Sequence, residues 1–511
     1  MRKSIRFLVF ALLVRIVPFS IQAQSTVDFQ ALDQYIDKAV KDFELTGLAI
    51  SIVKDGDMVF HRGYGLKNVK TQKAMTTGAL FNIASCSKAI TTACIGMLVK
   101  EGQLNWKDKV IDYIPEFRLS DPYITKELNI TDILCHRSGL ATFDGDLLWY
   151  GTQYDNQEII KRMRHLPIRN DFRSEYGYQN NMYLIAGEII NKVTGMTWSD
   201  FVYKKIFRLL EMTESRTCGK HVTDDQDLAH PHIDGQLQQP QMSNPNPCGS
   251  IFSSVDEMSH WMIMLLNGGS WNGQQILDAS IIEKLFSAQI SLSVSPFMKQ
   301  NGTHFRAYGL GWRLFDYSGR KIVEHDGGMP GYISKVTLIP EEKLGIVMLT
   351  NDMNSLTLPL RLKILDEFLN DSQKDWTMEF LELEKNRKEV TEKQKSDRLA
   401  KRVKNTSPSL ELAKYTGIYH DLMYGDARIE IVKNGLKLTL LPAKDLFVSN
   451  MEHWHFDTFR IKFKDDFLPE GFVTFQFNSN AEITGFKIDL PNPDFNFYNL
   501  DFKKISHSLM K

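Results

Sequence analysis

The sequence predicts an α+β protein: an antiparallel sheet flanked by helices with an all-helical subdomain, followed by a small C-terminal β-barrel or sandwich. Three observations predict it. Strand-like alternation opens the main body and returns only after a long helical block. A charged tract over residues 372–408 interrupts the chain. Beyond it lies a second strand-rich region with period-two alternation.

The elements follow in order. Residues 1–23 read as a signal peptide: basic "MRKSIR", apolar "FLVFALLV", and "IQA" before Gln24 as a cleavage site. Arg15 and Pro18 interrupt the apolar part, leaving it too short to span a bilayer. This predicts an exported protein, periplasmic or secreted, with no stable membrane insertion after cleavage. Residues 28–371 form the main body. "FQALDQYIDKAVKDF" has helical spacing, and "GLAISIVKDGDMVFHRGYGL" is a hairpin around Asp55-Gly56-Asp57. Helices follow in "FNIASCSKAITTACIGMLV", "NMYLIAGEIINKVTG" and "WSDFVYKKIFRLL". Strands return in "YGLGWRLFDYSGRKIVEHDGGMPGYISKVTLIPEEKLGIVMLTN", split by turns at Ser318-Gly319 and Pro340-Glu341-Glu342. One antiparallel sheet built from both ends of this body is the simplest architecture. Residues 372–408 read as a charged helical linker ending at Ser407-Pro408. Residues 409–511 form a β-rich domain that covers the cleft, binds glycan or aids assembly, three roles the sequence leaves open.

Composition excludes several functions. The chain is 43% hydrophobic and 24% charged with a net charge of −1, so no field favours nucleic acid or an anionic membrane. Five widely spaced cysteines argue against a disulfide framework, with a Cys218–Cys248 pair left open. There is no Gly-x-Ser-x-Gly elbow, His-Glu-x-x-His motif or phosphate-binding glycine loop. His453 and His455 flank Trp454 without a further ligand, so no metal is expected. No organic cofactor is expected either, and the oligomeric state is left open.

Three short segments carry chemistry. Ser85 and Lys88 lie one helical turn apart at the start of an apolar helix. A lysine there is costly unless paired or used. The helix start favours negative charge developing on the Ser85 Oγ, and a desolvated Lys88 can accept its proton. Ser51/Lys54, Ser318/Lys321 and Ser508/Lys511 repeat the spacing without opening a long helix. Tyr178 and Asn180 precede another helix: a phenol beside a cation is a candidate general base, and an amide can hold lysine and substrate together. Tyr154/Asn156 repeats that pattern in a loop. His325, Gly327 and Gly328 follow a strand; glycines there admit a substrate to the backbone. The Ser85 and Gly328 N–H groups would form an oxyanion hole, and His325 would orient substrate or assist proton transfer.

These segments, in this order, resemble the serine β-lactamase and penicillin-binding-protein superfamily, in its class C β-lactamase-like branch. Further phrases carry the likeness: "GQLNWKDKVIDYIPEF", "LNITDILCHRSGL", "YQNNMYLIAGEIINKVTG", "HDGGMPGY" and "IVMLTND". It spans roughly residues 30–355, and the C-terminal segment resembles the β-rich module appended to many such hydrolases. The resemblance implies a β-lactamase/transpeptidase-like fold. It implies Ser85 as acylated nucleophile, Lys88 as its partner, Tyr178 as general base, and Asn180, His325, Gly327 and Gly328 as the substrate and oxyanion side. The implied activity is that of an exported serine hydrolase cleaving a small-molecule or peptide substrate at an ester, amide or lactam bond. Esterase, D-aminopeptidase and DD-peptidase activities stay open, as does slow β-lactam acylation. The alternative is a penicillin-binding or ligand-sensing protein that acylates without efficient turnover. His325 departs from the lysine usual in lactamases, and a neutral imidazole is a poorer anion anchor.

Overall fold

The computed structural model describes residues 27–223, 226–240, 246–369, 374–433 and 435–505. The signal-peptide reading of residues 1–23 and the Ser508/Lys511 pair lie outside the described residues. The body opens with α1 (Phe29–Asp42), started by Asp28, whose carboxylate accepts from the Gln30 and Ala31 amides. The hairpin signal gives β1 (Gly47–Lys54) and β2 (Asp57–Asn68), with Asp55 and Gly56 at positive φ in the turn. A two-residue β3 (Lys73–Ala74) follows.

The strands that return are β4 (Ile290–Ser291), β5 (Arg306–Tyr308), β6 (Arg313–Tyr317), β7 (Arg320–Met329), β8 (Tyr332–Ile339) and β9 (Leu344–Thr350). The sheet order is β4-β5-β6-β7-β8-β9-β1-β2-β3, antiparallel throughout. β1 and β9 meet in its middle, with Leu48 opposite Thr350 and Lys54 opposite Leu344. The two ends of the body therefore close one sheet.

Both faces of that sheet are covered, and the strand period of two divides the residues between them. Leu48, Ile50 and Ile52 of β1 join α1 and the helix Thr357–Leu369 in one core. Ala49 and Val53 face the other core, with the helical block. That block holds α2 (Ser87–Lys100), α3 (Asn181–Thr194) and α4 (Val255–Leu266). α4 packs on β1 and β9, and α2 packs on α3. Every residue of α2 from Ser87 to Leu98 is buried, which suits a helix apolar on all sides.

The charged linker holds a helix, Trp376–Ala400. Its first turn is anchored: Trp376 is buried and donates to Asp366 Oδ2 at 2.6 Å. The rest is largely exposed, as its charge dictates. Of barrel and sandwich, the C-terminal domain takes the closed form. Eight antiparallel strands run from Gly417–Asp421 to Phe502–Lys504, and the first pairs with the last at Tyr419 and Lys504. Rings of Tyr415, Tyr419, Phe459, Phe475 and Phe486 pack edge to face inside it. Pairing of the first strand with the last covers the edges that an open sheet would expose. All five cysteines are buried free thiols, Cys218 and Cys248 included.

Candidate active site

From Phe81 to Leu98 one residue is not buried: Ser85. The local fold explains why. The short strand Phe81–Asn82 turns into the 3-10 turn Ala84–Cys86 that leads into α2. Ala84 adopts φ +45°, the left-handed region that an L side chain rarely enters, and the Asn82 Oδ1 accepts from its amide at 2.7 Å. This strained turn aims Ser85 out of the core. Its N–H lies in the first helical turn, where backbone donors have no intrahelical acceptor.

Lys88 is fully buried one turn later. Its Nζ donates to Ser85 Oγ at 3.0 Å, Asn180 Oδ1 at 2.7 Å and the Cys248 carbonyl at 2.8 Å. Three acceptors match the three N–H bonds of an ammonium. Burial nevertheless works against the charge and lowers its pKa to about 8, against a smaller raising effect from the Asp146 carboxylate.

Tyr178 and Asn180 come from the loop before α3. Asn180 is the residue at the helix start, yet its side chain makes no capping bond. It bridges instead: its Oδ1 faces Lys88 and its Nδ2 donates to Asp146 Oδ2 at 2.5 Å. The Tyr178 hydroxyl is near enough to the Ser85 side chain for Ser85 to influence its ionisation, and Lys88 Nζ lies 4.9 Å from its ring centroid. Burial pushes the Tyr178 phenol well above its usual range, against lowering by Arg313 and Ser85. The sequence suggested a phenol that ionises readily; the buried site favours the protonated form. His136 lies beneath, 4.3 Å from the Tyr178 ring, and its Nδ1 accepts from the Gln179 amide.

β7 forms the opposite side. A Cβ on Gly327 would meet Ile83 O at 2.5 Å, Ser85 N at 2.9 Å and the Ser334 Oγ. The missing side chain lets β7 lie against the Ser85 turn. Gly328 is open, with only Ile333 Cδ1 at 3.7 Å from such a Cβ. His325 sits elsewhere than expected. It is fully buried behind the cleft, its Nδ1 donating to the Asp326 carbonyl at 2.6 Å and its Nε2 bonded to the Tyr308 hydroxyl at 2.9 Å. Neither nitrogen is free for substrate, and burial lowers its pKa, so it stays neutral. Its ring packs 6.3 Å from that of Tyr178. Orienting substrate directly is therefore a role its geometry does not support. The positive charge at that edge comes from Arg313 and Lys335, which the sequence reading missed. Arg313 Nη1 donates to Asp326 Oδ2 at 2.6 Å, and the Lys335 ammonium pairs with the other oxygen. Burial pushes the Asp326 carboxyl up, but Lys335 and Arg313 more than reverse it and hold it well below the usual range. "YGLGW" led up to Arg313 without marking it, because cross-strand partners have no sequence spacing.

Ser85, Tyr178, Asn180, Arg313, Asp326 and the glycine pair line a cavity of about 700 Å³. Its far wall belongs to the barrel: Leu446, Phe467, Asp494 and Phe495 face it beside Trp149 and Tyr150. The barrel is fixed there. Tyr150 donates to Asp465 Oδ2 at 2.7 Å, its ring lies 4.1 Å from that of Phe495, and Asn496 and Asn499 both donate to Asp144 Oδ1. The Tyr154/Asn156 decoy belongs to this seam, Tyr154 donating to the Tyr424 carbonyl. Ser51 is buried in β1, and Lys321 donates to the Phe286 carbonyl, so neither pair forms a site. Among the described residues no cluster of three metal-ligating side chains occurs, and His453 bonds to the Phe456 carbonyl.

The family model described as Beta-lactamase matches residues 32–367, the segment that holds every group of the cleft except the barrel wall. The chain belongs to the Beta-lactamase family. A second model, a domain of unknown function (DUF3471), covers residues 401–504. Among curated relatives of this Beta-lactamase family member, Unguisins hydrolase ungD of Aspergillus violaceofuscus is 26% identical over 386 residues, covering 69% of this chain and 67% of that one. Protein flp of Staphylococcus aureus is 24% identical over 340 residues, 65% of this chain and 64% of its own length. The structure of the octameric penicillin-binding protein homologue from Pyrococcus abyssi aligns with a TM-score of 0.62 at 21% identity, over 93% of this chain and all of that one. That likeness extends the shared fold across the barrel.

Proposed function

We propose that this protein is an exported serine hydrolase that forms an acyl-enzyme on Ser85 and cleaves an ester or amide bond. The observation that carries the reading is Lys88: a fully buried amine, 3.0 Å from the Ser85 hydroxyl, which belongs to the partly exposed residue of the turn leading into its helix. A relative named as a hydrolase supports it.

In this reading Lys88 loses one proton to solvent as the site becomes active. Its free amine takes the Ser85 proton while Oγ attacks the substrate carbonyl carbon. A new C–O bond forms, and the carbonyl π pair moves onto oxygen, held by the Ser85 and Gly328 N–H groups. Collapse breaks the bond to the leaving group, which takes the proton from Lys88 through the Tyr178 hydroxyl. A neutral phenol suits that relay, since it can donate and accept in one motion. Water then repeats the sequence on the acyl ester. The Arg313–Asp326–Lys335 group adds net positive charge beside the oxyanion side and suits a substrate with an anionic or strongly polar acyl end. Export rests on the N-terminal segment; cleavage after Ala23, read by N-terminal mapping of the secreted chain, tests it.

Turnover of a para-nitrophenyl ester with mass spectrometry of the quenched enzyme tests the chemistry. An acyl mass on the peptide containing Ser85, with repeated turnover, is the expected result. One stoichiometric burst would turn the reading into an acylating sensor, and no adduct would end it. The pH profile adds a sign. Lys88 must be neutral to accept a proton, so kcat/KM is expected to rise with pH and level off with a midpoint near 8. A flat profile from acid to neutral pH would exclude Lys88 as base. Phe467 supplies the barrel test, because it is half-buried and reaches the cleft. Phe467→Ala is expected to raise KM about tenfold for esters with a bulky apolar group and to leave acetyl esters unchanged. Equal KM values for both would remove the barrel from substrate selection.

A further inference from the structure

Asp146 lies between Lys88 and the barrel, on the 3-10 turn Asp146–Leu148, in no motif of the sequence. It is 2% exposed and lines the cleft. One carboxylate oxygen accepts from Asn180 Nδ2; the other has no hydrogen-bond partner among the described residues. A carboxylate so buried is costly unless it does something with its charge.

We propose that Asp146 is a positioning residue of the Ser85 site, locking the Asn180 amide with its oxygen toward Lys88 and holding the proton on Lys88 through its charge. The inference rests on the hydrolase reading above. The lock follows from donors and acceptors. An amide can flip, and the flipped form would present Nδ2 to the Lys88 ammonium, donor against donor. An acceptor-only carboxylate behind Asn180 forbids that form, because Asn180 must then offer it N–H. The charge acts through the same line. Lys88, Asn180 and Asp146 are joined by two bonds of 2.7 and 2.5 Å with no solvent between their buried atoms. A negative Asp146 favours the ammonium, which keeps Ser85 unreactive until substrate displaces water and the proton leaves.

The surrounding groups do not duplicate this role. Arg313 from β6 is a cation and pushes the proton off Lys88. Cys86 and Cys248 are buried thiols raised by burial to about 12, hence neutral. Tyr178, Tyr183, His136 and His325 are held neutral by burial. Burial raises the Asp146 carboxyl, against lowering by Asn180, Trp149 and Lys88; Asp494, on the barrel wall of the same cavity, adds a small raise, and the balance is about 7. Lys88 and Asp146 thus exchange influence within the neutral range.

Two variants separate lock from charge. Asp146→Asn keeps an oxygen acceptor for Asn180 and removes the charge. Asp146→Ala removes both. Each is read by kcat and KM on a para-nitrophenyl ester, by the pH midpoint, and by the NMR titration of the Lys88 Cε. Asp146→Ala is expected to lower kcat by about 10- to 100-fold with a smaller change in KM. Asp146→Asn is expected to recover most of that loss, with both the activity midpoint and the Lys88 titration moved down by about one pH unit. Unchanged kcat in Asp146→Ala, or an unmoved Lys88 titration in Asp146→Asn, would overturn the proposal. The titration needs no turnover, so it judges Asp146 even if the native enzyme proves inactive on every ester, a result that would count against the hydrolase reading instead. Melting temperatures accompany each variant, and the near-isosteric Asp146→Asn carries the decision if Asp146→Ala does not fold.

Discussion

Ser85→Ala is expected to abolish covalent labelling by a fluorophosphonate probe and to lower kcat/KM by roughly four orders of magnitude or more. The size follows from what the cleft contains. Ser85 is the hydroxyl that meets both Lys88 and Tyr178. Without it, only binding and the backbone donors remain to accelerate attack by water. Lys88→Met should cost about as much, and the double variant little more, because nucleophile and base act as a unit. Stability separates loss of chemistry from loss of fold. Ser85 is partly exposed at the start of a helix where alanine fits well, so the melting temperature of Ser85→Ala should stay within a few degrees of the parent. Persistent labelling of Ser85→Ala would refute the assignment outright.

Gly327→Ala is expected to reduce kcat by about 100- to 1,000-fold and to cost about 1–3 kcal/mol of stability. Its cause is steric. The added Cβ would lie 2.5 Å from Ile83 O and 2.9 Å from Ser85 N, and against the Ser334 Oγ. Two of those atoms are backbone, so β7 must move away from the Ser85 turn. The distance between the two oxyanion donors then changes. Gly328→Ala is the control, because its Cβ meets only Ile333 Cδ1 at 3.7 Å. Kinetics of the pair decide: a few-fold change in Gly328→Ala beside the collapse of Gly327→Ala is expected. The reverse order would show that β7 is not what sets the donor geometry.

The paired behaviour of these glycines illustrates how differently the parts of the site were written in the sequence. Gly327 and Gly328 could be marked as a place of close approach, because glycine after a strand has few other uses. Which of them touches Ser85 could not, since that depends on the register of β7 against β8, with Gly327 opposite Ser334. His325 misled for the same reason. It shares the strand face of Gly327, but Tyr308 from β5 claims its free nitrogen. Tyr178 misled through burial, which a sequence does not report. The barrel's closure was left as one of two forms because period-two alternation is common to both.

What the sequence by itself determined is local. Periodicity gave the helices and strands, turn residues gave the hairpins, and three short segments marked Ser85, Lys88, Tyr178, Asn180 and the glycine pair. Only the tertiary structure decided what surrounds them: Asp146 behind Asn180, Arg313 and Lys335 on Asp326, the Cys248 carbonyl on Lys88, and the barrel as far wall. The physical reason is that backbone preference acts over a few residues, whereas desolvation and charge act across space between segments far apart in the chain.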